Sequence, residues 1–122
     1  MAKVTYSSAK GLVVESGTGF QVNDAPVLEE IQALAEGEAD TVNINNFGIT
    51  TMDAGAGDET CTLPDGDAAG QLKTVILSST TGGDLIVNNA AAAGIATLDT
   101  AGDYVHCLWT GSAWVIVASE AA

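Results

Sequence analysis

From Asp58 to Ser119, hydrophobic and polar positions alternate in short runs, and each run is closed by turn residues. This pattern predicts a row of short β-strands. Many short strands with turns at intervals of roughly 8–12 residues are typical of an antiparallel β-sandwich or a barrel-like domain. The predicted strands are Glu59–Leu63, Gln71–Ser78, Asp84–Asn88, Ile95–Leu98 and a final hairpin over His106–Val117.

The final hairpin has a two-residue loop, Gly111-Ser112, with glycine first, which suits the turns that match strand twist. The predicted register pairs Thr110 with Ala113, Trp109 with Trp114, Leu108 with Val115, Cys107 with Ile116, and His106 with Val117. Both faces of this hairpin are then largely apolar, which predicts cover on both sides. Because one small domain rarely covers both faces, we expect a homotrimer. Its expected subunit interface includes Leu108, Trp109, Trp114 and Val115.

The chain before this block divides into two further parts, within one globular domain overall. Residues 1–22 predict an N-terminal arm at Lys3–Lys10 followed by a hairpin of Gly11–Glu15 with Phe20–Val22. Residues 23–38 predict a short α-helix, capped by Asp24 and stopped at Gly37. Its apolar stripe comprises Val27, Leu28, Ile31, Leu34 and Ala35. The β domain then covers 39–122, with a further strand expected at Thr41–Asn45.

The charge of the chain limits its partners. Sixteen acidic residues and three lysines give a net charge of −13. Such a chain repels nucleic acid and anionic lipid, and it favours a basic partner or a salty medium. Solubility alone is the other explanation. No apolar run approaches the roughly 20 residues of a membrane span, and the first residues lack the apolar core of a signal peptide. We therefore expect synthesis in a cytosol and neither a membrane nor a nucleic-acid partner.

The sequence predicts no enzyme, no cofactor and no metal site. His106 is the chain's single histidine and lies within a predicted strand, so a structural role is expected. Asp65 and Asp67 hint at a calcium loop, but Ile76 occupies the position where that loop requires a bidentate carboxylate. Cys61 and Cys107 each lie in an apolar strand, which favours buried reduced thiols, with a disulfide between neighbouring strands as the alternative.

The second half of the chain carries a series of small motifs in a fixed order. They are Leu63-Pro64-Asp65-Gly66, Ala69-Gly70-Gln71, Lys73–Leu77, Gly82–Val87, Ala96-Thr97-Leu98, Ala101–Val105 and Leu108–Val115. In this order they resemble a β module of tailed-bacteriophage virion proteins. That module occurs in capsid decoration (cement) proteins, head fibres and tail fibres, often as trimers. The resemblance covers about half the chain and does not account for its N-terminal half.

The resemblance implies a non-catalytic virion protein, made in the host cytoplasm and located on the capsid exterior. The short chain has no long fibrous repeat, which favours a decoration protein that binds the major capsid protein and stabilises the shell. A tail-fibre or head-fibre module for host-surface attachment is the alternative. Lys3, Tyr6 and Lys10, in the polar segment 2–10, are the expected capsid contact, because such a segment can add a strand to a coat-protein edge. A frayed terminus is the other interpretation.

Overall fold

The computed structural model describes residues 4–7, 11–14, 30–39, 42 and 48–121. These residues are mainly β, with two mixed sheets and no closed barrel, and no α-helix occurs among them. The strands are β1 (Val4–Ser7), β2 (Gly11–Val14), β3 (Ile31–Leu34), β4 (Ile49–Asp53), β5 (Glu59–Leu63), β6 (Leu72–Ser79), β7 (Leu85–Asn89), β8 (Gly94–Leu98), β9 (Tyr104–Trp109) and β10 (Trp114–Glu120).

The sheets are mixed and not antiparallel, which corrects the sequence-based expectation. The large sheet has the order β10-β9-β6-β4-β3, and the small sheet has the order β5-β7-β8. Strands β3, β4 and β6 run parallel to one another, as do β5 and β7. The reason is that β4, β5, β6 and β7 alternate between the two sheets, so every second strand returns to the same sheet in the same direction.

Short loops at one end of the two sheets make two of these crossings, from β4 to β5 and from β6 to β7. The loop after β4 and the loop after β6 are tied together, since the Thr81 and Gly83 amides both donate to the Gly55 carbonyl, at 2.7 and 3.1 Å. A side chain at Gly83 would collide with the Gly57 backbone, so only glycine fits there. The amide of Glu59 donates to the Asp84 carbonyl at 2.8 Å, which fixes the starts of β5 and β7 side by side.

The core lies between the two sheets and is built from alternate residues of their strands. It comprises Met52, Ala54, Cys61, Leu63, Val75, Leu77, Leu85, Val87, Leu98, Val105, Cys107, Trp109 and Trp114, with Ala39. Two polar side chains are buried among them, Thr50 and Lys73. Lys73 Nζ donates to Thr50 Oγ1 at 2.6 Å, and Thr50 Oγ1 donates to Gln32 Oε1 at 2.9 Å. This chain of hydrogen bonds links β6, β4 and β3 and satisfies polar groups that would otherwise be costly to bury.

The predicted register of the final hairpin is confirmed from its turn as far as the pair Cys107 and Ile116. Beyond that pair it is wrong by one residue, because a β-bulge follows Ile116. His106 lies opposite Ala118 and not opposite Val117. A bulge adds one unpaired residue to its strand and moves the following side chains to the other face. Ala118 therefore shares the face of His106.

One expectation for the first 38 residues is corrected, and others lie outside the described residues. The helix expected over 23–38 is wrong at Ile31–Leu34, which form β3 and pair in parallel with Ile49–Met52. The apolar stripe also fits a strand, and pairing with β4 outweighs the small helix propensity of so short a segment. Residues 23–29 lie outside the described residues, as do Thr41 and 43–45 of a further predicted strand. At the N-terminus, Gly11–Val14 pairs with Val4–Ser7, and the other strand of the expected hairpin, Phe20–Val22, lies outside the described residues.

Candidate interaction surface

The outer face of the large sheet carries rows of mostly uncharged side chains. The strand registers define three rows that cross the sheet: Val115–Leu108–Leu72, Ala118–His106–Thr74–Ile49–Ile31, and Glu120–Tyr104–Ile76–Thr51–Ala33. All of these side chains are half-buried or exposed. Glu120, at the margin, is the acidic residue in the three rows. We call this surface the outer face. A surface that is largely apolar and has its acidic residue only at the margin, on so acidic a chain, is typical of a protein-binding site.

The outer face is bordered on one side by β10, which is an edge strand of the large sheet. Val115, Ile116 and Val117 are consecutive and between 40% and 52% exposed. Natural edge strands are usually protected by lysine, proline or short length. In β10 the seven residues Trp114–Glu120 contain neither lysine nor proline. One row of its backbone groups faces away from β9, and no strand in the described part of the chain pairs with that side.

The acidic side chains gather at one end of the two sheets. Strands β3, β4, β6, β8 and β10 finish at this end, and β5, β7 and β9 begin there. The acidic residues at these strand ends and in their connecting loops are Glu36, Glu38, Asp53, Asp58, Glu59, Asp84, Asp99, Asp103 and Glu120. We call this the acidic end. The opposite end carries Glu30, Asp65 and Asp67 among the residues that the structure describes.

Some carboxylates of the acidic end hold the loops there by accepting hydrogen bonds from backbone amides. Asp58 Oδ1 accepts a hydrogen bond from the Asp84 amide at 3.0 Å, and Asp53 Oδ1 accepts one from the Gly55 amide at 2.9 Å. Asp103 Oδ2 accepts from the amides of Asp99 and Thr100, both at 3.1 Å. These carboxylates replace the ladder bonds that the turning backbone loses. Repulsion among them is the electrostatic cost of this arrangement.

The four residues expected at a subunit interface separate onto two faces. Trp109 and Trp114 point into the core and are 5% and 8% exposed. Their ring centroids are 5.4 Å apart at an interplanar angle of 57°, and Trp114 Nε1 donates to the Pro64 carbonyl at 2.9 Å. Leu108 and Val115 lie on the outer face instead. A second subunit could therefore contact Leu108 and Val115 far more readily than the two tryptophans.

Of the three residues expected to contact a capsid, Tyr6 lies in β1 opposite Leu12 of β2. Lys3 and Lys10 lie outside the described residues. Strands β1 and β2 form a two-stranded sheet of their own, joined by no described strand to the other two sheets. The described part of this arm is therefore a hairpin separate from the two sheets.

The residues considered for chemistry lie apart from one another. His106 Nδ1 and Thr74 Oγ1 share a hydrogen bond of 2.7 Å on the outer face. Asp53 and Asp58 belong to the acidic end, whereas Asp65 and Asp67 lie at the opposite end. In the described part of the chain no group of three or more His, Cys, Asp or Glu side chains could hold a metal ion. No helix among the described residues is long and apolar enough to span a bilayer.

Both cysteines are free and buried, as the sequence predicts. Burial raises the pKa of the Cys61 thiol from its ordinary value of 9.0 to about 12, and that of Cys107 to about 11. Thiols held in the protonated form are weak nucleophiles. The two cysteines thus act as small core side chains. Cys107 lies directly opposite Lys73 in the pairing of β9 with β6.

The outer face was missed at the sequence level, although part of its signal is visible there. Leu72, Thr74 and Ile76 alternate with the buried positions of β6, and Tyr104, His106 and Leu108 do the same in β9. Recognising a surface requires knowing that β9 lies beside β6 and that β4 lies beyond it. These neighbours are not consecutive in the chain, so alternation alone does not reveal them.

Comparison with known proteins gives no family and no relative. No family model, no curated protein and no solved structure matches the chain.

Proposed function

We propose that this protein is a non-catalytic structural protein of a tailed-phage virion. It binds the outside of the assembled capsid as a homotrimer and stabilises the shell. The observation that carries this proposal is the outer face, a largely apolar surface with its acidic residue only at the margin, on a chain of net charge −13. The order of motifs in the second half of the chain supports the same function.

Stabilisation follows from linkage. A shell that contains packed DNA is strained where its subunits meet. A trimer that bridges several coat subunits binds the assembled lattice more tightly than it binds free coat protein. Because the bound state is favoured only in the lattice, binding shifts the equilibrium toward the intact shell. The roles divide between two parts of the chain. Leu108 and Val115 belong to the subunit contact, and the side chains of Lys3, Tyr6 and Lys10 contact the coat protein.

The test uses shells assembled from the major coat protein encoded in the same genome. Purified protein is mixed with bare shells, and co-sedimentation and the temperature of shell disruption are measured. We expect saturable binding and a higher disruption temperature. Deleting residues 2–10, in a variant shown to remain folded, should weaken binding. Leu72→Asp should also weaken it by disrupting the trimer, because a carboxylate then lies on the outer face beside Leu108 of the subunit contact.

Thr62→Asp is the matched control, because Thr62 is an exposed residue of β5 in the small sheet. It adds the same charge away from the outer face and should leave binding unchanged. Equal loss with both aspartate variants would show that net charge, not the outer face, governs binding. Protein that ignores shells but binds glycans of the host surface would replace this proposal with the fibre function. The copy number per purified particle separates the same two functions, with hundreds for decoration and a few for a fibre.

A further inference from the structure

We infer that the N-terminal hairpin β1–β2 of one copy pairs with edge strand β10 of the next copy, so that β1 extends the large sheet of its neighbour. This inference rests on the proposed homotrimer and names a backbone contact that acts together with the contact of Leu108 and Val115 proposed above. The donor is the hairpin Val4–Val14, and the acceptor is the free side of Trp114–Glu120.

Each partner lacks a neighbour that the other supplies. A two-stranded hairpin alone is marginally stable in water and needs a third strand or a covering surface. Strands β1 and β2 pair with each other and with no other described strand. Strand β10 is long, apolar and exposed, and its outward backbone groups have no strand beside them in the described part. Pairing β1 with β10 satisfies both sets of backbone groups.

Charge favours a contact made by residues 1–14 of one copy. We call the remainder of each chain, residues 15–122, the body. Residues 1–14 contain Lys3 and Lys10 and no acidic residue, whereas the remainder of the chain carries all sixteen acidic residues and the buried Lys73. The arm is therefore positive and every body is strongly negative. Two bodies repel each other, while an arm is attracted to any body. Within β10 itself Glu120 is the charged residue, and it lies at the acidic end.

The contact allows a closed ring. Hairpin and edge are different surfaces of the same chain, so the interface is heterologous, and repeating it closes a ring of three when each copy is rotated by one third of a turn. Strand pairing uses the backbone edges, and side chains project above and below the sheet. A pairing through the backbone of β1 is therefore compatible with the coat-protein contact proposed above.

The test is a complementation experiment in solution without capsids. Variant A lacks residues 2–14 and has an intact β10. Variant B carries Val117→Lys, which places a charge on the exposed edge in the way that natural edge strands are protected. Each variant alone should sediment as one chain, close to 12.2 kDa for variant B and about 1.3 kDa lighter for variant A, while the unmodified protein assembles. Tryptophan fluorescence of the buried pair checks that each variant is folded.

Mixing the variants decides the matter. The arm of variant B can still bind the β10 of variant A, so the mixture should form a species of two chains and nothing larger. Thr62→Lys, on the edge strand of the small sheet, is the matched control and should assemble like the unmodified protein. A mixture that stays monomeric, or an unmodified protein that is monomeric at micromolar concentration, overturns the inference. Assembly without capsid binding would contradict the capsid function and leave the arm exchange intact.

Discussion

Trp114→Phe tests whether the final hairpin is fixed to the core through the Pro64 carbonyl. The indole Nε1 of Trp114 donates to that carbonyl at 2.9 Å, and the ring packs on Trp109 at 5.4 Å. Phenylalanine keeps the aromatic contact but cannot donate the hydrogen bond. Losing one such bond costs about 1 kcal/mol of unfolding free energy. The smaller ring also buries roughly 40 Å² less apolar surface, worth about 1 kcal/mol.

The expected loss is therefore about 2 kcal/mol, which lowers the melting temperature by roughly 8 °C in a domain of this size. Urea unfolding followed by circular dichroism measures the free energy, and the slope against urea should stay constant. Thr62→Ala is the control, since Thr62 is an exposed residue of β5 that lies outside the hairpin and outside the proposed contacts. It should cost less than about 0.5 kcal/mol. If Trp114→Phe costs no more than the control, the hydrogen bond and the ring do not fix the hairpin.

Three further predictions concern a glycine, the thiols and the acidic end. Gly66→Ala should cost about 1–3 kcal/mol in urea unfolding, because the new methyl group collides with the Trp109 ring, whereas Gly57→Ala meets open space and should be near neutral. Burial raises the pKa values of Cys61 and Cys107 in the folded state. The contribution of these two thiols to the unfolding free energy should therefore be constant below pH 9.0. It should fall as pH rises toward about 11–12, by up to about 1.4 kcal/mol per pH unit for each thiol. The double variant Cys61→Ala/Cys107→Ala should flatten that fall, and an unchanged slope would contradict the assignment. Raising sodium chloride from about 10 to 300 mM should raise the melting temperature, because salt screens the repulsion among the carboxylates of the acidic end. Calcium at matched ionic strength should raise it no further. A rise that is specific to calcium would reveal a metal site.

The strands from Glu59 onward could be placed from the sequence, because local alternation and turn residues determine them. The Gly111-Ser112 loop even fixed the pairing of Trp109 with Trp114, since a two-residue loop allows one register. The assignment of strands to two sheets could not be predicted. An exposed alternating strand has the same pattern whether its sequence neighbour lies beside it or across the core, and only the packed structure distinguishes the two cases.

Only the part of the candidate surface that lies in the final hairpin could be predicted, because local alternation and the turn determine that part. Leu108 and Val115 were correctly identified as a face opposite the tryptophans. Leu72, Ile49 and Ile31 complete that face through pairings between distant parts of the chain, of which the longest joins Leu72 to Leu108, 36 residues further along the sequence. The strand at Ile31–Leu34 was missed because four residues carry too few alternations to outweigh an apolar stripe at helical spacing.

The alternation of successive strands between the two sheets has a consequence for how the chain folds. Few contacts form between strands that are neighbours in the sequence. Strand β4 pairs with β6, β5 pairs with β7, and β6 completes its pairing only with β9, so each needs a strand that comes later in the chain. Such a high contact order predicts folding in milliseconds to seconds, with little structure from the first strands alone. On the ribosome, β6 emerges long before β9, so its edge and the half-built core remain open until the last hairpin leaves the exit tunnel. A chain that ends before Tyr104 should therefore be captured by chaperones or aggregate, and it should not persist as a smaller folded domain.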